Sequence, residues 1–326
     1  MKEIQAIVAA LCRDDCGPSV LATLVTAEGS SYRRPGARLL VRADGGRIGS
    51  ISGGCLEEDV LARARRVAAS GEPEVAVYDT TSENDLVWGV GLGCHGVVRV
   101  LLENVPVRPA WAEALRDNFA ARRPTWLAVT YGAGAARGTR LADGTESGPG
   151  VRSETVAPPT ALAVFGAGDD AQPLVRLAQE LGWVATVADP RAAFATAARF
   201  PAARVVSGSS DTLVGRVAPD AGTLAVVMTH HYVHDGPILR DLLAGPAAYV
   251  GLLGPKKRAE KILADLAAAG AEITPAQRGR LHAPVGLDLG ADAPEQVALA
   301  MLAEMQAFLA GRDARPLRER TRPIHG

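Results

Sequence analysis

From Thr160 onward, short apolar runs at residues 161–165, 184–188, 204–206, 224–228 and 248–252 alternate with stretches of helical character. Apolar runs of this length, separated by amphipathic segments, are what a parallel sheet covered by helices on both faces requires. The first run leads directly into Gly166-Ala167-Gly168-Asp169-Asp170-Ala171, and the second closes on Asp189. A glycine loop between a strand and a helix, with an acid ending the next strand, is the pattern of a dinucleotide-binding turn. Gly166 would allow the tight turn, Gly168 would let backbone N–H groups approach a phosphate, and Asp189 would accept from a ribose hydroxyl. Asp169 is the misfit, because a carboxylate inside a phosphate loop repels an anion; Arg191 would offset that charge or meet a phosphate. Residues 160–311 therefore read as a Rossmann-like domain, with a mobile tail at 312–326. Helices are expected near Phe194, over 238–243, and up to Gly311 from a capping box of Asp292 and Glu295.

The first half has a different rhythm. A helix is expected over residues 2–13, strands over 20–26 and 37–42, and a turn at Asp44-Gly45-Gly46 leading into a strand at 47–51. Gly53-Gly54 then turns the chain into a helix over 55–69, and strands at 74–78 and 97–103 flank a glycine-rich stretch that includes Gly89, Gly91 and Gly93. Residues 1–105 form one α+β domain in this reading, and 106–159 a linker with a subsidiary helix and hairpin. The predicted fold class is α/β: an N-terminal α+β domain followed by a C-terminal Rossmann-like parallel-sheet domain.

The formal net charge of -1 provides no long-range attraction for nucleic acid or an anionic membrane, and no apolar run reaches spanning length. A cytoplasmic protein is expected, and four cysteines are too few for a secreted disulfide scaffold. Two of them stand in glycine loops: Cys55 after Gly53 and Gly54, and Cys94 between Gly93 and His95. A thiol at a helix N-terminus is activated as a thiolate, and two such thiols in one small domain suggest a soft-metal or sulfur-handling site. Their spacing matches no zinc signature, and a buried cysteine is also an ordinary apolar residue. Cys12 and Cys16 read as structural. After the strand at 224–228 comes Thr229-His230-His231-Tyr232-Val233-His234-Asp235, which points His230 and His231 at the crevice or, alternatively, gathers metal ligands. Arg33, Arg34 and the run Lys256-Lys257-Arg258 are either anion contacts or solvated faces.

Taken in order, several segments resemble the XdhC/CoxI family, the maturation factors of molybdenum hydroxylases. They are Ser30-Ser31-Tyr32-Arg33-Arg34-Pro35-Gly36-Ala37-Arg38, Gly49-Ser50-Ile51-Ser52-Gly53-Gly54-Cys55-Leu56-Glu57, Gly91-Leu92-Gly93-Cys94, Phe165-Gly166-Ala167-Gly168, Tyr249-Val250-Gly251-Leu252-Leu253-Gly254 and Pro284-Val285-Gly286-Leu287-Asp288-Leu289-Gly290-Ala291. Asp169 stands where the family usually has histidine, and His95 where it usually has glycine. The resemblance implies a chaperone, non-catalytic or only weakly catalytic. Such a protein would bind the molybdenum cofactor (molybdopterin, or its cytosine dinucleotide), protect it, support its sulfuration with a cysteine desulfurase, and insert it into an apo hydroxylase of the xanthine dehydrogenase type. It also implies a homodimer. Cys55 and Cys94 would face the cofactor, with Gly53, Gly54 and Gly93 beside them and residues 166–170 as the nucleotide loop. The rival readings are an NAD(P)-dependent oxidoreductase, suggested by the glycine loop and Asp189, and a metallohydrolase built on His230, His231, His234 and Asp235.

Overall fold

The computed structural model describes residues 1–15, 17–79, 96–133 and 136–321 and separates the chain into two compact units, Met1–Pro159 and Thr160–Gly326. The first contains α1 (Lys2–Leu11), β1 (Ser19–Gly29), β2 (Arg38–Arg42), β3 (Arg47–Gly49), α2 (Glu57–Ser70), β4 (Glu74–Asp79), β5 (Gly96–Val105), α3 (Ala110–Ala120), β6 (Thr125–Thr130), β7 (Gly138–Leu141) and β8 (Val151–Val156). Five strands pair antiparallel in the order β3-β2-β1-β5-β4. Side chains alternate across a strand, so β1 sends Val20, Ala22 and Leu24 to one face, against Val60, Ala64 and Val67 of α2. Leu21 goes to the other face, with Ile7 and Leu11 of α1 and Trp111 and Leu115 of α3. The 106–159 segment contributes α3 and a second antiparallel sheet, β7-β6-β8, and Leu127 of β6 joins the same core as Trp111.

The second unit contains β9 (Ala161–Phe165), α4 (Ala171–Glu180), β10 (Val184–Asp189), β11 (Arg204–Ser207), α5 (Ser210–Val217), β12 (Thr223–Val227), α6 (Tyr232–Ala244), β13 (Tyr249–Leu252), α7 (Lys256–Ala268), α8 (Pro275–Arg278), β14 (Leu281–His282) and α9 (Pro294–Ala310). All six strands are parallel, ordered β11-β10-β9-β12-β13-β14. This is the 3-2-1-4-5-6 order of a Rossmann sheet, with its reversal between β9 and β12. Leu162, Val164, Val187 and Val226 face α4 and α9, while Ala163, Phe165, Val227 and Val250 face α5, α6 and α7.

Several local expectations need correction. The chain near Phe194 forms turns, not a helix, and α5 and β14 carry too few residues to stand out as periodic patterns. Helix α6, expected over 238–243, starts at Tyr232 and runs through Gly236-Pro237. The expected capping box of Asp292 and Glu295 is displaced: α9 starts at Pro294 with Ala293 as N-cap in extended backbone. A residue before proline is held out of the helical region, so the start moves to the proline itself. Gln296 then receives the N–H groups of Asp292 (3.0 Å) and Ala293 (3.1 Å).

Candidate functional site

In the first unit, the two segments that carry the N-terminal motifs meet. Ser30, Ser31, Tyr32 and Arg33 follow β1; Ile51, Ser52, Cys55 and Leu56 precede α2. Together with Leu24, Tyr78, Gly96 and Val98 they line one open cleft. The Ser52 hydroxyl accepts from the N–H groups of Gly54 (3.2 Å) and Leu56 (3.1 Å), and Glu57 reaches back to receive the Ser52 N–H (2.9 Å) and hydroxyl. This reciprocal arrangement does the work of a capping box and fixes the turn that presents Cys55. Helix α2 begins at Glu57, so Cys55 stands just before it and not as its first residue. Burial pushes the Glu57 carboxyl up, but the Ser52 bonds outweigh it and the net shift is downward.

Gly54 has φ +117, and Gly53 lies under the exposed Tyr32 ring, whose carbons are 3.6 Å from where a methyl group at 53 would sit. At the far wall, a methyl group on Gly96 would lie 2.5 Å from the Ser30 carbonyl oxygen and 2.6 Å from that of Glu28, so β1 and β5 close up here only because residue 96 has no side chain. Tyr78 donates to Asp59 (2.7 Å); burial and that carboxylate hold the phenol far above its ordinary range. Arg33 is an internal tie to Glu3 and Ser50. Gly93, Cys94 and His95 lie outside the described residues.

In the second unit, the loop after β9 and the loop after β12 lie side by side at the switch point. Gly166, at φ +125, would place a methyl group 2.4 Å from the Met228 carbonyl oxygen. Asp189, expected as a ribose acceptor, is fully buried and turned inward. It receives the N–H of Ala167 (2.6 Å), the N–H of Arg191 (2.8 Å) and the Arg191 guanidinium at 2.9 and 2.8 Å. Burial alone would raise its pKa; those bonds outweigh it and lower it. Asp169 is paired with Arg199 (2.9 Å), which also donates to the Ala167 carbonyl (3.1 Å). Arg191 and Arg199 both lie over the Phe194 ring, at 4.3 and 5.3 Å from its centre.

His230 adopts φ +57 and brings Nε2 to 2.6 Å from Asp170 Oδ2. His231 is the N-cap of α6, its ring 5.1 Å from that of His234, which bonds Ser210 instead. Asp235 is buried between Thr229 (2.6 Å) and Arg258. Of the four residues of the metallohydrolase reading, His230, His234 and Asp235 are each bonded to a different partner, and among the described residues no three His, Cys, Asp or Glu side chains converge to hold a metal. Arg199 and the Asp170–His230 pair escaped sequence reasoning, since only the sheet crossover brings residues 30 and 60 positions apart together.

Residues 12–79 match the XdhC and CoxI family, and residues 162–305 match the XdhC Rossmann domain. A probable xanthine dehydrogenase subunit from Bacillus subtilis is 32% identical over 322 residues, spanning 90% of this chain and 93% of that protein. The Escherichia coli molybdenum cofactor insertion chaperone PaoD is 26% identical, spanning 88% of this chain and 82% of its own length. A crystal structure described as a xanthine dehydrogenase from Bacillus halodurans superposes with a TM-score of 0.82 at 29% identity, covering 97% of this chain and 99% of that one. Among the described residues no helix is long and apolar enough to cross a membrane.

Proposed function

The chain belongs to the XdhC and CoxI family, and from that premise we propose that it is a molybdenum cofactor insertion chaperone for a hydroxylase of the xanthine dehydrogenase type. The observation that carries the reading is the Cys55 cleft. Two separate sequence segments converge there on one partly exposed thiol held by a rigid, hydrogen-bonded turn. A soft sulfur donor suits the sulfur-rich molybdenum centre of the cofactor, and a glycine-flanked turn lets a bulky ligand approach the backbone. The insertion role of PaoD supports the same reading.

Within this proposal, Cys55 and Cys94 face the cofactor, flanked by Gly53, Gly54 and Gly93. The cofactor is sulfurated while carried, with a cysteine desulfurase as sulfur source, and the carrier works as a homodimer that docks on the apo hydroxylase. The test is anaerobic purification from a host that makes the cofactor, followed by assay for molybdenum and oxidised-pterin fluorescence, and by activation of the apo hydroxylase. The wild-type chain is expected to carry both and to activate the client. Cys55→Ala should fold normally, since alanine for cysteine at a partly exposed turn costs little, and should lose activation. Full activation by Cys55→Ala and Cys94→Ala would overturn the roles of the thiols; absence of pterin and molybdenum from the wild type would overturn the carrier.

A further inference from the structure

The loop after β9 has the glycine pattern of a dinucleotide site, yet both places where a dinucleotide would be read are filled by the chain's own carboxylates. At the end of β10, where a ribose diol would meet an acid, Asp189 already accepts four hydrogen bonds from Ala167 and Arg191 and has no exposed surface. A carboxylate accepts about four such bonds, so none is left for a ribose. At the second glycine, where a pyrophosphate would approach the backbone, Asp170 Oδ1 lies 2.6 Å from the position a methyl group on Gly168 would take. The His230 ring is 4.0 Å from the same position.

These occupants are held in place. The other oxygen of Asp170 is bonded to His230 at 2.6 Å. The His230 backbone, in the left-handed region, is braced by the Thr229 hydroxyl, which accepts the His231 N–H (3.1 Å) and donates to Asp235, itself clamped by Arg258. Asp169 is tied to Arg199 on the rim. Three carboxylates, each bonded to a basic side chain, line the place where a polyanion would need unpaired donors.

We infer that the glycine loop after β9 is closed to nucleotides: neither cytidine diphosphate nor NAD(P) finds there the free ribose acceptor or the open approach to the backbone that such a loop offers. The test titrates the full chain with cytidine 5′-diphosphate, NAD⁺ and NADP⁺ by calorimetry, for the wild type and for Asp170→Ala, which clears the space over Gly168. The wild type is expected to show no binding tighter than about 1 mM, and the variant to bind cytidine diphosphate at least about tenfold more tightly. Micromolar binding by the wild type, or no gain in the variant, overturns the inference.

Should Asp170→Ala fail to fold, the wild-type titrations decide alone: no binding tighter than about 1 mM is expected, and micromolar binding of any of the three nucleotides overturns the inference. Absence of pterin and molybdenum from the purified protein would overturn the carrier reading and leave this inference standing, because the titrations use nucleotides alone.

Discussion

Replacing Asp189 by alanine removes the clasp that joins the end of β10 to the glycine loop. The Ala167 N–H, bonded at 2.6 Å to a carboxylate with no exposed surface, would stay buried without an acceptor, at a cost of about 1–3 kcal/mol. The Arg191 guanidinium is partly exposed and would regain water, so losing its bonds adds about 1 kcal/mol, well below the cost of stranding a buried charge. The expected loss is about 3 kcal/mol, and about half that for Asp189→Asn, whose remaining carbonyl oxygen can still accept. Urea unfolding followed by circular dichroism at pH 7 gives the magnitude, and amide exchange at Ala167 gives its location. Because the folded-state pKa is lowered, the clasp's stability is present above the unfolded value of about 3.9 and is lost as pH falls below it. Wild type should therefore lose stability from about pH 4 downward by an amount that Asp189→Asn does not. An Asp189→Ala variant within about 0.5 kcal/mol of wild type at pH 7, or identical acid sensitivity in Asp189→Asn, would overturn this account of the clasp.

Gly96→Ala forces a methyl group against two backbone carbonyls at 2.5 and 2.6 Å and should cost about 2–3 kcal/mol, read from urea midpoints, while widening the wall of the Cys55 cleft. Ser52→Ala deletes the acceptor for the Gly54 and Leu56 N–H groups; it should cost about 1 kcal/mol and change the alkylation rate of Cys55, with Cys12, whose thiol burial pushes up, as internal control. Arg258→Met leaves Asp235, 1% exposed, without its cation; a loss of about 3 kcal/mol in urea unfolding is expected, together with reduced amide protection at His231.

The alternation of apolar runs after Thr160 was enough to specify the parallel sheet, because strands buried on both faces must be apolar throughout and short. The hairpin at Asp44-Gly45-Gly46 was equally legible, since Gly45 supplies the left-handed residue the turn demands. The two-residue β14 and the eight-residue helix α5 were not, for a two-residue strand or a helix of about two turns holds too few residues to show its period. In the first unit the motifs around Ser30 and Cys55 were readable as motifs, but that they share a cleft is set by the sheet, in which β2 joins β3 to β1 and β5 adds the wall at Gly96.

The glycine loop marks the limit most clearly. Local sequence determines that a tight turn joins β9 to α4, because glycine alone tolerates φ +125 against the Met228 carbonyl. It does not determine what the turn's donors bind. Asp189, Arg199 and His230 reach the loop from 22, 32 and 62 positions beyond Ala167 and Gly168, delivered by the crossover order of the sheet. A hydrogen bond is decided by positions in space, and those are set only when the whole sheet has assembled.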